Sequence, residues 1–291
     1  CGEYIRSLEI RKSTNTRKNY AYDLGVFFYF LKTNNPYFKD KDIHTLPIEV
    51  LDMITAMDVE EYLSYLESYT KDGKLYTNRE EGKARKLSSL KSFYDYYFKK
   101  NLIRTNPPRQ VDVPKIKNKN IIRLDPNEIA QLLDEAESGE KLSGRQLASH
   151  EKTKVRDVAI LTLLLGTGIR VSECVGLNLE DVDFNNGAIR IIRKGGNEAL
   201  IYFGDEVSQA LEAYMNGSRK TAEPAAGHEE ALFISLNKTR ITTRSVERLV
   251  KKYSRLVTTV KKITPHKLRS TFGTALYQET GDIYLVADTL G

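Results

Sequence analysis

Cysteine is nearly missing from this sequence: Cys1 and Cys174 are its two thiols in 291 residues. Two cysteines cannot make a disulfide framework in a chain of this length, so a packed core must hold the fold, and a reducing cytoplasm is the expected setting. Tryptophan is absent altogether. No run approaches ~18 uncharged apolar residues, so no membrane span is expected. The segment from Cys1 to Arg11 has no apolar stretch of the kind a secretory signal needs. His44, His150, His228 and His266 have no metal-ligand spacing, and no carboxylate cluster adjoins any of them. There is no Gly-x-x-x-x-Gly-Lys loop to cradle a nucleotide phosphate. No metal and no cofactor are therefore expected.

What remains is ordinary globular material, with 40% hydrophobic and 29% charged residues. The length corresponds to about two domains at ~150 residues each. The net charge of +6 is too small to name a partner, but its distribution is uneven. Residues 83–119 hold 11 basic and two acidic side chains, and residues 238–269 hold 11 basic and one acidic. Concentrated positive charge is the footprint of a polyanion binder, although one such window alone is equally consistent with a solvated face.

The pattern predicts mostly helices. Ser13 can cap a helix carrying Leu24, Phe27, Phe28 and Leu31 at helical spacing, and Val59, Tyr62, Leu63 and Leu66 repeat the pattern. The stretch from Lys71 to Gly82 reads as a polar loop. From Lys83 to Lys100, Leu87, Leu90, Tyr94, Tyr97 and Phe98 form an expected core stripe. Arg85, Lys86, Ser88, Ser89 and Lys91 form an opposite face suited to phosphate contacts or simply to water. Of these, Arg85, Lys86, Ser89 and Lys91 are the DNA-binding candidates. Prolines and alternating lysines over 113–122 predict an extended basic linker. Beyond it, Asp125-Pro126 opens a helix, and Arg156 to Leu165 reads as a buried helix ending at Gly166 and Gly168. Ala188–Arg193 and Ala199–Phe203 read as strands joined by the turn Lys194-Gly195-Gly196-Asn197. Asp205 to Met215 and Ser245 to Leu256 are helical. Thr264-Pro265 starts another helix, closed by Gly281, and Asp282 caps a last one.

Several side chains could carry chemistry. Arg170 stands just after an apolar run and requires an anion, either Glu173 three residues on or an external one. Lys194 sits at a hairpin tip, where it is either merely exposed or able to reach into a groove. His266 and Arg269 share a face at i and i+3 near a helix start that favours anions, although a lone histidine is often structural. Thr243, Arg244 and Arg248 head a helix in the second basic window and are candidates for phosphate contact.

In that setting Gly166-Thr167-Gly168-Ile169-Arg170-Val171-Ser172-Glu173, with Leu177 and Asp181, resembles the first box of the tyrosine site-specific recombinases. Lys194 in its Arg-Lys-Gly-Gly hairpin is similar to their β-hairpin lysine. His266-Lys267-Leu268-Arg269 resembles their His-x-x-Arg box, and Leu290-Gly291 the dipeptide before their last catalytic histidine. The order and spacing fit across 123–291. Thr16–Leu31 and Arg85–Pro107 resemble the helical core-binding domain, and the Xer branch and mobile-element integrases are the most similar.

The resemblance implies a mainly α fold with a small antiparallel β-sheet: a helical core DNA-binding domain (1–112), a linker (113–122) and a mixed α/β catalytic domain (123–291) whose C-terminal end is missing. It implies site-specific cleavage and rejoining of double-stranded DNA through a 3′-phosphotyrosyl link, on an inverted-repeat-like site, by a tetramer assembled on DNA, with no cofactor. Arg170 and Arg269 would clamp the phosphate, Lys194 would protonate the leaving oxygen, His266 would assist, and Glu173 would orient Arg170. The nucleophilic tyrosine would follow Gly291. Tyr277 and Tyr284 are off its position, and Tyr284 is expected to pack in the last helix. Ser270 departs from the family, which often has an aromatic residue or histidine there. The alternatives are a non-catalytic DNA-binding protein of the same fold and a basic helical RNA-binding protein; the latter leaves Arg170, Lys194, His266 and Arg269 unexplained.

Overall fold

The computed structural model describes residues 1–291 except 11, 40, 43–44, 117–119 and 194, so His44 and Lys194 lie outside the described residues. It divides into two compact units, Cys1–Lys119 and Asn120–Gly291. The fold is mainly helical with small antiparallel sheets, as the residues predict.

The first unit contains α1 (Gly2–Ser7), α2 (Thr14–Asn34), α3 (Ala56–Tyr65), the strands β1 (Ser68–Lys71) and β2 (Lys74–Thr77), α4 (Glu80–Lys99) and the short α5 (Pro107–Gln110). The Ser13 hydroxyl accepts from the Thr16 backbone N at 3.3 Å and so starts α2. Leu24, Phe27 and Leu31 of α2, Val59 and Tyr62 of α3, and Leu87, Leu90, Phe93 and Tyr94 of α4 are buried together. Aromatic edges organise this core: Phe27 meets Tyr62 with ring centres 5.0 Å apart, a T-shaped pair worth ~0.5–1.5 kcal/mol beyond its burial.

Two expectations are corrected in this unit. The stretch 71–82 is not one polar loop: it contains the turn and second strand of a hairpin and then the first turn of α4. Asp72 and Gly73 take φ values of 50° and 72°, the left-handed pair that a tight hairpin turn requires. Phe98 is exposed rather than part of the core stripe, because it sits in the last turn of α4. Pro107 opens a helical turn, where its missing N–H costs nothing.

The second unit contains α6 (Pro126–Ser138), α7 (Gly144–Thr167), α8 (Val171–Gly176), the strands β3 (Val182–Asp183), β4 (Ala188–Ile192) and β5 (Glu198–Tyr202), then α9 (Asp205–Tyr214), α10 (Thr243–Val257), α11 (Pro265–Thr280) and α12 (Ile283–Leu290). The strands form one antiparallel sheet in the order β3-β4-β5. Asp125 and Glu128 exchange backbone bonds in a capping box that starts α6. The helix expected from Arg156 begins twelve residues earlier at Gly144, a polar start that apolar content alone does not reveal. Residues 159–161, 163 and 164 of α7 are all buried, the mark of a helix enclosed by its unit, and α6, α9 and α11 pack on it. Cys174 is buried in this core, and burial pushes its thiol up to about 12.

Candidate catalytic and DNA-binding site

The site grows from the end of α7. Gly168 caps that helix with φ +63°, and its N–H bonds to the Leu164 carbonyl at 3.1 Å. A Cβ on Gly168 would overlap the Phe272 ring of α11. Glycine is therefore required twice here, for the backbone turn and for the close approach of α11. Two residues later Arg170 occupies the N-cap of α8. The Glu173 carboxylate accepts from the Arg170 backbone N at 2.7 Å and from its Nη1 at 2.8 Å. Glu173 is buried, whereas the Arg170 side chain is partly open, 38% exposed. One carboxylate thus fixes both the backbone and the head of this arginine.

Helix α11 supplies the next groups. Thr264 takes the N-cap position with Pro265 behind it, but its side chain makes no capping bond. Leu268 and Thr271 turn into the core, while His266 stays exposed. Arg269, one turn on, donates through Nη1 to the Gly168 carbonyl at 2.8 Å and through Nη2 to the Leu290 carbonyl. Arg170 Nη2 donates to the Gly291 carbonyl at 2.6 Å. Both arginines therefore converge on the backbone at the end of α12. Burial and the neighbouring Arg170 hold Arg269 below its ordinary value; Glu173 opposes this and Arg193 adds to it. Ser270 donates to the His266 carbonyl at 3.0 Å, a local helix bond that leaves the site intact.

Arg193 is the group that sequence reasoning missed. It directly follows β4, and its Nη2 donates to the Asp288 and Thr289 carbonyls at 3.1 Å each. Its place beside Lys194 at the foot of a glycine turn was the available signal. Lys194 itself lies outside the described residues. Tyr284, expected to pack in the last helix, is 82% exposed. It follows the cap Asp282, whose carboxylate accepts from the Tyr284 N at 2.8 Å, and this start points its side chain outward. Among the described residues, no group of three or more His, Cys, Asp or Glu side chains gathers in metal-binding fashion. No helix among them is long and apolar enough to cross a membrane.

The DNA-contact candidates separate into two groups. On α10, Thr243, Arg244 and Arg248 are exposed, and their side chains have no partner among the described residues. On α4 the expected open cationic face is corrected. Ser89 is fully buried and donates to Asp23 of α2 at 2.8 Å. Arg85 pairs with the same carboxylate. Lys86 is buried on Asn78 at 2.7 Å, and burial lowers its pKa. Lys91 donates to the Val111 carbonyl at 2.9 Å. A buried aspartate on the facing helix draws this polar face inward.

The phage integrase family model matches residues 122–291. The tyrosine recombinase XerC of Syntrophus aciditrophicus is 34% identical, over 99% of this chain and 87% of its own. That of Caldanaerobacter subterraneus subsp. tengcongensis is 33% identical, over 94% and 73%. The chain belongs to the phage integrase family, the site-specific tyrosine recombinases. Both of these relatives carry the XerC name, and the fold is shared more widely. The XerH recombinase bound to difH substrate superposes with a TM-score of 0.67 at 21% identity, over 94% of this chain and 72% of that one. The Tn1549 transposon integrase in complex with circular intermediate DNA gives 0.67 at 21%, over 99% and 94%.

Proposed function

We propose that this recombinase cuts one strand of duplex DNA at a specific inverted-repeat-like site, keeps the bond energy in a 3′-phosphotyrosyl link and rejoins the end to a partner strand. The single observation that carries the reading is the convergence of Arg170 and Arg269 on one spot beside buried Glu173. Two guanidiniums there can grip the non-bridging oxygens of a phosphodiester in bidentate fashion. A phosphate oxygen is a strong acceptor of a charged donor, so DNA phosphate can take the place of the backbone oxygens that these guanidiniums now hold. As charge builds on those oxygens in the transition state, each arginine gains; losing one such donor typically costs ~10²–10³ in rate.

The remaining roles follow from the chemistry of the step. The tyrosine oxygen attacks phosphorus and its proton passes to His266. The 5′-oxygen leaves with the bonding pair and takes a proton from the Lys194 ammonium. Glu173 orients Arg170. Residues 1–112 form the core DNA-binding domain, 113–122 a basic linker and 123–291 the catalytic domain. Thr243, Arg244 and Arg248 contact DNA phosphates; of the α4 group, partly open Arg85 keeps that role best. The XerH and Tn1549 integrase structures are complexes with DNA by their own descriptions, which supports the same partner for this chain. The protein acts in the cytoplasm as a tetramer on DNA. Its recombinase relatives do not favour a non-catalytic role.

The test is covalent capture. The full-length protein is incubated with a pool of random-sequence duplexes, each carrying a nick that lets the cut fragment diffuse away. The reading expects denaturant-resistant protein–DNA adducts on an enriched sequence, linked through a DNA 3′ end. Adducts that never form, or that form at 5′ ends, contradict it.

A further inference from the structure

Arg240 stands just before α10 and reaches across to the far end of α8. Its Nη1 is shared among the carbonyls of Val175, Gly176 and Leu177 at 3.1, 3.0 and 2.7 Å, and its Nη2 donates to Asn178 Oδ1. Helix α8 is six residues long, and Leu177 leaves it at φ −58° and ψ 140°, so no left-handed turn folds back over its last carbonyls. A cation is favoured where such carbonyls gather, and the Arg240 guanidinium takes that place. The opposite end of the same helix carries Arg170 as its N-cap. Glu173, one turn in, accepts from the backbone N and from Nη1 of Arg170. At ~1.5 Å per residue, Arg170 and the Arg240 guanidinium hold the two ends of a rod about 9 Å long. A shift at one end carries the other end with it.

We propose that Arg240 is a positioning residue: it fastens the C-terminal end of α8 to the start of α10, and so sets where Arg170 meets the scissile phosphate. The inference rests on the reading of Arg170 as a phosphate-gripping group. Helix α10 is the fixed partner. Val246, Leu249, Val250 and Tyr253 bury its inner face, and Thr242 caps it by accepting from the Ser245 N at 3.2 Å. The segment leading into it is held by its own backbone, with Ile241 N donating to the Phe233 carbonyl at 2.9 Å. Helix α8 is held by less: of its six residues, Glu173 and Cys174 are buried. One backbone bond, from Leu232 N to the Leu177 carbonyl at 2.9 Å, joins its exit to the same segment. Removing the Arg240 fork therefore leaves α10 in place and lets α8 pivot. Arg170 and Glu173 then move as a unit, and the bonds between them do not correct the error. Arg240 commits both terminal nitrogens to protein oxygens, so its effect on cleavage passes through α8.

A double-mutant cycle tests this. Single-turnover cleavage by the full-length protein is measured on a nicked duplex of the sequence recovered by covalent capture, at saturating DNA and well below the melting temperature of every variant. Wild type, Arg240→Gln, Arg170→Ala and the double variant are compared, with DNA affinity measured alongside. A reacting group misplaced by ~1 Å costs on the order of 10²-fold, so Arg240→Gln is expected to slow cleavage roughly 10–100-fold and to change DNA affinity by less than about threefold. Arg240→Lys, which keeps the charge but not the fork, is expected to fall between Arg240→Gln and wild type. With Arg170 already removed, Arg240→Gln is expected to cost less than about twofold more, because no arginine is left to position. Should Arg240→Gln not fold, the same cycle is run with Arg240→Lys. An unchanged rate in the single Arg240 variant overturns the inference, as does a loss seen in DNA affinity instead of rate. If Arg170→Ala is slow but the Arg240 substitution costs the same factor in both backgrounds, the inference alone falls. If Arg170→Ala cleaves at the wild-type rate, the phosphate-gripping reading falls and this inference with it.

Discussion

Glu173 accepts from Arg170 twice, at the backbone N (2.7 Å) and at Nη1 (2.8 Å), while itself buried. The same carboxylate therefore starts α8 and aims the arginine. Glu173→Gln keeps the shape but weakens a charge-assisted bond of ~1.5–3 kcal/mol, so cleavage should fall roughly 10–100-fold. Single-turnover kinetics at saturating DNA measure this, with DNA affinity expected to change little.

Gly168 should tolerate no side chain. Gly168→Ala places a Cβ at φ +63° and against the Phe272 ring. The strained backbone alone costs of order 1–3 kcal/mol, or roughly 2–10 °C in melting temperature for a unit of this size. Thermal unfolding checks it, and adding Phe272→Ala should recover part of the loss by removing the overlap.

Ser89 distinguishes a structural from a DNA-contacting role on α4. Its buried hydroxyl serves Asp23, so Ser89→Ala should lower stability by ~1–3 kcal/mol and leave DNA affinity within about twofold. Arg244→Gln together with Arg248→Gln should do the reverse: little change in melting temperature, weaker DNA binding, and a salt slope smaller by about two. Urea unfolding and binding titrations at several salt concentrations separate the two cases.

Acid should weaken the second unit through His150. Its Nδ1 lies 3.0 Å from the Tyr253 hydroxyl, which donates to Asp157 at 3.0 Å, and Lys252 stands 3.7 Å from that carboxylate. Burial, then Lys252, hold the histidine below its usual value of 6.5; Glu151 opposes this and Lys154 adds to it. The folded state therefore resists a proton that the unfolded chain accepts. This contribution is fully present above about pH 6.5 and is lost as pH falls towards the lowered folded value, at ~1.4 kcal/mol per unit of depression. Unfolding free energy measured from pH 7.5 down to 5 should drop more steeply in wild type than in His150→Gln.

Local signals carried much of this structure. The caps Ser13, Asp125 and Asp282, the stops Gly168 and Gly281, and the hairpin around Gly195-Gly196 all depend on neighbours within a few residues. The boxes around Arg170 and His266–Arg269 were legible for the same reason. What escaped depends on distant partners. Ser89 and Lys86 turn inward because Asp23 and Asn78 await them on other elements. Arg193 finds its acceptors 95 and 96 positions away. The Asp72-Gly73 turn is the exception, a local signal hidden within a polar stretch.

The central claim is that Arg170 and Arg269 grip the phosphate during strand cleavage. Covalent capture of the full-length protein on its nicked duplex tests it most directly, with wild type, Arg170→Ala and Arg269→Ala compared at equal DNA occupancy. The account predicts that both variants still bind the duplex but form adducts at least ~10²-fold more slowly. Adducts formed by either variant at the wild-type rate would contradict it.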